Sequence, residues 1–142
     1  MTTKVNIERK ILTIFILAVL GMMVFTKNVS AQTRTFTFHM DTSYLHGSGK
    51  YNKGYPADKG NNNPYATVDL NWFDVTSGSP TISMWAADSG TVTDWSQAWS
   101  FTGTAVKHLY YNPPQPTTAN NLWLVAEQFG SGSAIVAGIW EP

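Results

Sequence analysis

Beyond residue 32, apolar side chains recur at every second position in short runs, and each run stops at a cluster of Gly, Ser, Asn or Pro. That period confines the chain to β-strands, because side chains alternate across a pleated sheet whereas a helix repeats every 3.6 residues. Thr33 to Met40 sets the pattern, with Arg34, Phe36, Phe38 and Met40 on one side and Thr33, Thr35, Thr37 and His39 on the other. Ala66, Val68, Leu70 and Trp72 alternate against Thr67, Asp69, Asn71 and Phe73. After Ser77-Gly78-Ser79-Pro80 a second run carries Ile82, Met84 and Trp85, and the two runs predict a hairpin. Thr104 to Tyr111 predicts a further strand, ended by Asn112-Pro113-Pro114-Gln115-Pro116, whose prolines remove ladder donors. Leu122 to Phe129 and Ser133 to Trp140 flank Gly130-Ser131-Gly132 and predict a carboxy-terminal hairpin.

Two stretches escape the pattern. Asp41 to Pro64 dissolves into Gly, Ser, Asn, Lys and Tyr, which predicts a loop of more than about 20 residues, a length often reserved for function. Asp88 to Ser100 opens like a turn and holds Trp95 and Trp99 four apart, which reads as a loop pinned by two indoles. Six strands with no amphipathic helix and no internal repeat predict an all-β fold, a small antiparallel β-sandwich or a partly open barrel.

The amino terminus has a different character. Lys4, Arg9 and Lys10 precede an almost unbroken apolar run from Ile11 to Phe25, about 15 residues where a spanning helix needs about 20. Val29-Ser30-Ala31 then offers small residues at the positions signal peptidase reads, so cleavage is expected between Ala31 and Gln32. On this reading residues 1–31 are a signal peptide and 32–142 a single secreted β domain, extracellular and with no stable membrane span after processing. If retained, the same apolar run would anchor the domain at the cell surface. The sequence has no Cys, which excludes attachment through a lipidated cysteine and any disulfide.

Processing changes the charge balance. Lys4, Arg9, Lys10 and Lys27 leave with the leader, as does Glu8, so the remaining chain has five basic and eight acidic residues and a net charge of −3 with neutral His. Nucleic acid is not an expected partner, because phosphate binding needs a positive patch and these cations are scattered. Without disulfides, packing must supply the stability, and the aromatic residues are suited to it. All six Trp, all six Tyr and five of the seven Phe lie beyond residue 31. One fully buried ring contributes up to about 4–6 kcal/mol before entropy is subtracted.

Chemistry-bearing residues are few. His39 and Asp41 point the same way and His46 follows, but a zinc site needs three or four ligands at recognisable spacing, and His108 is the one further histidine. Ser43, Ser48, His46 and Asp41 are neighbours without a nucleophile elbow, and Gly47-Ser48-Gly49 is too short for a phosphate cradle. A glycosidase needs two placed carboxylates; Asp88, Asp94, Glu127 and Glu141 stand near Trp, and Glu127 lies on the Trp123, Val125 and Phe129 side of its strand, one candidate acid without a partner. No catalytic residue, metal ligand or cofactor is therefore expected. The aromatic excess is the remaining signal: Trp72, Trp85, Trp123 and Trp140 lie on strands and are expected in the core. Tyr44, Tyr51, Tyr55 and Tyr65 gather around the long loop and are the candidate ligand-binding residues, since Tyr supplies rigid area with a polar handle.

The order of these features resembles a family of small secreted proteins of unknown function from bacilli and related Gram-positive bacteria. The matching segments are Phe36-Thr37-Phe38, Tyr44 to Tyr55, Asn63-Pro64-Tyr65 running into Val68-Asp69-Leu70, Trp85, the Asn121 to Gln128 segment with Glu127, and Val136-Ala137-Gly138-Ile139-Trp140. Tyr65 stands where the family has Trp, the last strands have few basic residues, and Pro113 to Thr118 is an addition. A second likeness, through His46-Gly47-Ser48-Gly49 to Tyr55 and Ala66-Thr67-Val68, is to bacteriocins of the lactococcin 972 type, which act on cell-wall assembly. The resemblance implies a secreted, non-enzymatic protein that binds at the bacterial cell envelope, with a bacteriocin-like or immunity-related role. The alternatives are a carbohydrate-binding module using surface Tyr and Trp, with a surface glycan as partner, and a minimal hydrolase.

Overall fold

A computed structural model describes residues 31–88, 94–117 and 121–142, so the expected leader, apart from Ala31 at its end, lies outside the described residues. Among the described residues the chain forms nine strands: β1 (Arg34–Met40), β2 (Asn52–Lys53), β3 (Ala57–Asp58), β4 (Tyr65–Gly78), β5 (Thr81–Asp88), β6 (Trp99–Phe101), β7 (Ala105–Tyr110), β8 (Asn121–Phe129) and β9 (Gly132–Glu141). They build two antiparallel sheets. The first runs β1-β9-β4-β7; the second runs β2-β8-β5-β6, with β3 also paired to β8. The fold is a β-sandwich, without barrel closure.

The core lies between the sheets and follows the sequence alternation closely. Phe36, Phe38 and Met40 of β1, Ala66, Val68 and Leu70 of β4, and Ala134, Val136 and Trp140 of β9 point inward from the first sheet. Ile82, Met84 and Ala86 of β5 and Leu122, Leu124 and Ala126 of β8 meet them from the second. Trp140 is 1% exposed and is among the largest side chains of this core, the part a disulfide would otherwise play.

Both expected hairpins are corrected. β4 and β5 belong to opposite sheets, as do β8 and β9, so each Gly/Ser-rich connection is an arch across the sandwich. Burial explains the choice: β5 is buried at every position from Ile82 to Ala87, and β8 is buried from Leu124 to Gln128. Strands covered on both faces belong at the middle of a sheet, and β5 and β8 attain this by pairing with each other. The two arches lie side by side, with the Ser79 amide donating to the Ser131 carbonyl at 3.0 Å. Gln128, wholly buried, donates through Nε2 to the Gly132 carbonyl at 2.9 Å and fastens the second arch. Gly132 has φ +113°, and a Cβ there would lie 2.0 Å from the Ser77 carbonyl oxygen, so the close approach of the arches requires glycine.

A second correction concerns Trp72. The β4–β9 register shifts between Leu70 and Trp72, the mark of a β-bulge at Asn71, and the extra residue turns the following side chains over. Phe73 thereby packs on the core, while Trp72 faces outward and is 57% exposed. Trp85 and Trp140 are buried as expected, and Trp123 is half-buried.

The long Asp41–Pro64 segment is also more ordered than its composition suggests. Asp41 caps a single 3-10 turn, Thr42–Tyr44, accepting from the Ser43 amide at 2.7 Å. Further on, Lys59 is 1% exposed and donates to the Asn61 and Asn63 carbonyls at 2.7 and 2.9 Å, its ammonium 5.1 Å from the Tyr111 ring centroid. A buried cation thus holds the Asn61-Asn62-Asn63 turn, and burial pulls its pKa below the ordinary lysine value. The expected Asp88–Ser100 loop is corrected at its ends: Asp88 closes β5, and Trp99 and Ser100 belong to β6, paired with Met84 and Ser83. Of the two indoles, Trp95 packs on the core while Trp99 is exposed, and between these strands the described residues from Asp94 run as bridges and bends.

Candidate functional site

The site grows from the four residues Lys53-Gly54-Tyr55-Pro56. β2 and β3 pair with the same edge of β8, Lys53 opposite Val125 and Ala57 opposite Leu122, so they are two pieces of one interrupted edge strand. The Gly54 amide still reaches the Leu124 carbonyl at 2.9 Å. Pro56 has no N–H to continue the ladder, and the chain lifts off between Gly54 and Ala57. Tyr55, at the top of this lift, is 79% exposed, the most exposed large apolar side chain among the described residues.

Beneath Tyr55 opens a groove of about 500 Å³ that runs along β1. Its walls include Thr35, Thr37, Lys53, Gly54, Tyr55 and Trp123, with Phe36 and Phe38 closing the floor toward the core. Two features follow from topology. β1 pairs only with β9 among the described residues, so the other edge of its backbone faces the β2–β3 side. Lys53 and Trp123 both belong to the outer face of the second sheet, and the Lys53 ammonium lies 5.4 Å from the Trp123 ring centroid. The free stretch of β1 is short. The Asn52 side chain donates through Nδ2 to the His39 carbonyl at 3.2 Å, and the Gln32 backbone N–H donates to the Asp58 carbonyl at 3.3 Å, which closes both ends.

The same outer face has a small apolar cluster of Trp85, Ala87 and Val125, on which Tyr51 and Trp123 pack. Tyr51 meets Trp85 edge to face at 5.6 Å and 89°. Farther along β8, Glu127 faces Ser83 across the β5 register, and its Oε2 lies 2.9 Å from His46 Nδ1. The His46 ring stacks on Phe129 at 4.5 Å, and its backbone N–H donates to the Gln128 carbonyl at 2.8 Å. Burial, and secondarily the charge of Glu127, raises the pKa of the Asp94 carboxyl. A carboxylate that orients a histidine is half of a nucleophilic apparatus. Neither Ser48 nor Asp41 completes it: the Ser48 hydroxyl donates to the Ser43 carbonyl at 3.1 Å, and the Asp41 carboxylate is engaged in its cap. The pair instead latches the His46 loop onto β8. No group of three or more His, Cys, Asp or Glu gathers to hold a metal ion among the described residues.

The four tyrosines singled out from sequence do not converge. Tyr44 is half-buried and packs on the main core, and Tyr51 packs on Trp85. Tyr65 lies on the outer face of the first sheet, 4.3 Å from the His108 ring and 5.5 Å from that of Tyr110. Tyr55 alone of the four borders the groove. Lys53, Trp123, Thr35 and Thr37 join it there without having been singled out as a group. The signal for them was the Lys-Gly-Tyr-Pro sequence, a broken edge strand, set against the outward threonines of β1. Nothing in the sequence places Trp123 beside it, because β2 and β8 are some 70 residues apart. His46 and Glu127, separated by 81 residues, are likewise joined only by the fold.

No family model matches the chain, and neither a curated protein nor a solved structure does.

Proposed function

We propose that this chain is a secreted, non-enzymatic β-sandwich that binds a glycan at the bacterial cell envelope, and that the groove under Tyr55 is where it binds. The observation that carries the reading is the exposure of Tyr55 over a groove that also has Trp123 and the hydroxyls of Thr35 and Thr37 on its walls. Sugar rings present C–H faces that stack on aromatic side chains and hydroxyls that need polar partners, and this lining supplies both. An extended peptide fits less well. Strand addition draws its affinity from a run of main-chain bonds, and the clipped edge of β1 leaves about four residues, Thr35 to Phe38, for it.

Secretion rests on the basic start, the apolar run Ile11 to Phe25 and the Val29-Ser30-Ala31 site. The envelope as destination rests on that leader together with the likeness to small secreted proteins of Gram-positive bacteria. A bacteriocin-like or immunity-related role is the more specific form of the same reading. The hydrolase alternative draws on the His46–Glu127 pair, which is better accounted for as a latch.

The test is expression of the full chain in a Gram-positive host. Recovery from the medium with Gln32 as the first residue supports secretion and the predicted cut. The recovered protein is then incubated with purified cell walls: retention of the wild type and loss of retention by Tyr55→Ala support the groove as the site. Equal retention of both proteins would refute it, and failure of the wild type to bind would remove the envelope reading. Growth inhibition of neighbouring strains would distinguish the bacteriocin-like form.

A further inference from the structure

We infer that the glycan taken by the groove is acidic, carrying a carboxylate or phosphate substituent that Lys53 reads; the inference rests on the groove being the binding site. Lys53 is exposed and lines the groove, and among the described residues it forms no ion pair with a carboxylate. The chain beyond residue 31 has eight acidic residues against five basic, yet no acidic residue lines this groove. An uncompensated cation is therefore set among aromatic and hydroxyl groups in a protein that is otherwise negative.

Among the other cations, Lys59 is buried on backbone carbonyls and Arg34 donates to the Gln32 side-chain oxygen at 2.8 Å, while Lys107 lies 5.0 Å over Trp99 in a similar cation–π contact but outside the groove. The Trp123 ring positions the Lys53 ammonium without neutralising it, since a cation–π contact leaves the N–H donors free for an oxygen acceptor. An anionic substituent at this point gains a charge-assisted hydrogen bond while its sugar ring stacks on Tyr55 or Trp123. At about 0.1 M salt, charges beyond about 10 Å are screened, so the preference is set inside the groove despite the overall negative charge.

The experiment compares three probes: neutral chitin oligomers, hyaluronan oligomers with a carboxylate on every second sugar, and a glycerol-phosphate polymer. Wild-type protein is expected to bind at least one charged probe about three- to tenfold more tightly than chitin, the net worth of one hydrogen bond. The charged probe that binds identifies carboxylate or phosphate as the group read. Lys53→Gln should abolish the preference with an unchanged melting temperature, while Lys50→Gln, exposed and outside the groove, should keep it. Equal binding of charged and neutral probes overturns the acidic-ligand inference but leaves glycan binding standing, and so does a preference that survives Lys53→Gln. Loss of retention on whole cell walls would instead overturn the reading beneath it.

Discussion

Tyr51 and Tyr55 lie four residues apart in the same Tyr-rich segment, and the structure assigns them opposite work. Tyr51 is half-buried with its ring edge-on to Trp85, whereas Tyr55 is 79% exposed. Truncating Tyr51 to Ala uncovers on the order of 100 Å² of ring surface, about 2.5 kcal/mol at about 25 cal/mol per Å². Loss of the edge-to-face contact adds about 0.5–1.5 kcal/mol. Tyr51→Ala should therefore destabilise the domain by about 3 kcal/mol or more, which at about 4 °C per kcal/mol lowers Tm by about 12 °C. Tyr55→Ala removes little buried area and should stay within about 0.5 kcal/mol of wild type. Its effect belongs to binding, where losing one stacking ring weakens retention about three- to tenfold. Urea titration of both variants, alongside the cell-wall assay on folded protein, separates the two roles. A Tyr55→Ala variant as unstable as Tyr51→Ala, or a Tyr51→Ala variant as stable as wild type, would refute the assignment.

Gly132→Ala should destabilise by at least about 1–3 kcal/mol from the positive φ alone, with more from the contact at the Ser77 carbonyl, read as a fall in the urea midpoint. Lys59 makes a pH prediction. Its folded-state pKa is lowered by burial, so between that value and the ordinary 10.5 the unfolded chain holds more protons and stability rises with pH, levelling off above 10.5. The stability of wild type relative to Lys59→Met should accordingly grow as pH rises toward 10.5, and a difference that stays flat would show that the ammonium is not desolvated.

What the sequence determined by itself is local. The alternation in Thr33 to Met40 assigned Phe36, Phe38 and Met40 to the core, and the run from Ala66 to Leu70 did the same for β4, because the pleat dictates which neighbours share a face. The runs carrying Ile82, Met84 and Trp85 and spanning Leu122 to Phe129 marked β5 and β8 as strands, but sequence spacing joined each to its neighbour as a hairpin. The fold decided otherwise, since strands buried on both faces must find each other at the centre of a sheet, and that pairing joins segments about 40 residues apart. Tertiary structure also turned Trp72 outward, because one extra residue at Asn71 inverts a period-2 pattern that is otherwise well kept. The groove belongs to the same class. Its Tyr55 was legible in the Tyr-rich loop, but its walls come from β1, the β2–β3 break and β8, and only the closing of two sheets on one core brings Lys53, Trp123 and the β1 threonines to a common edge.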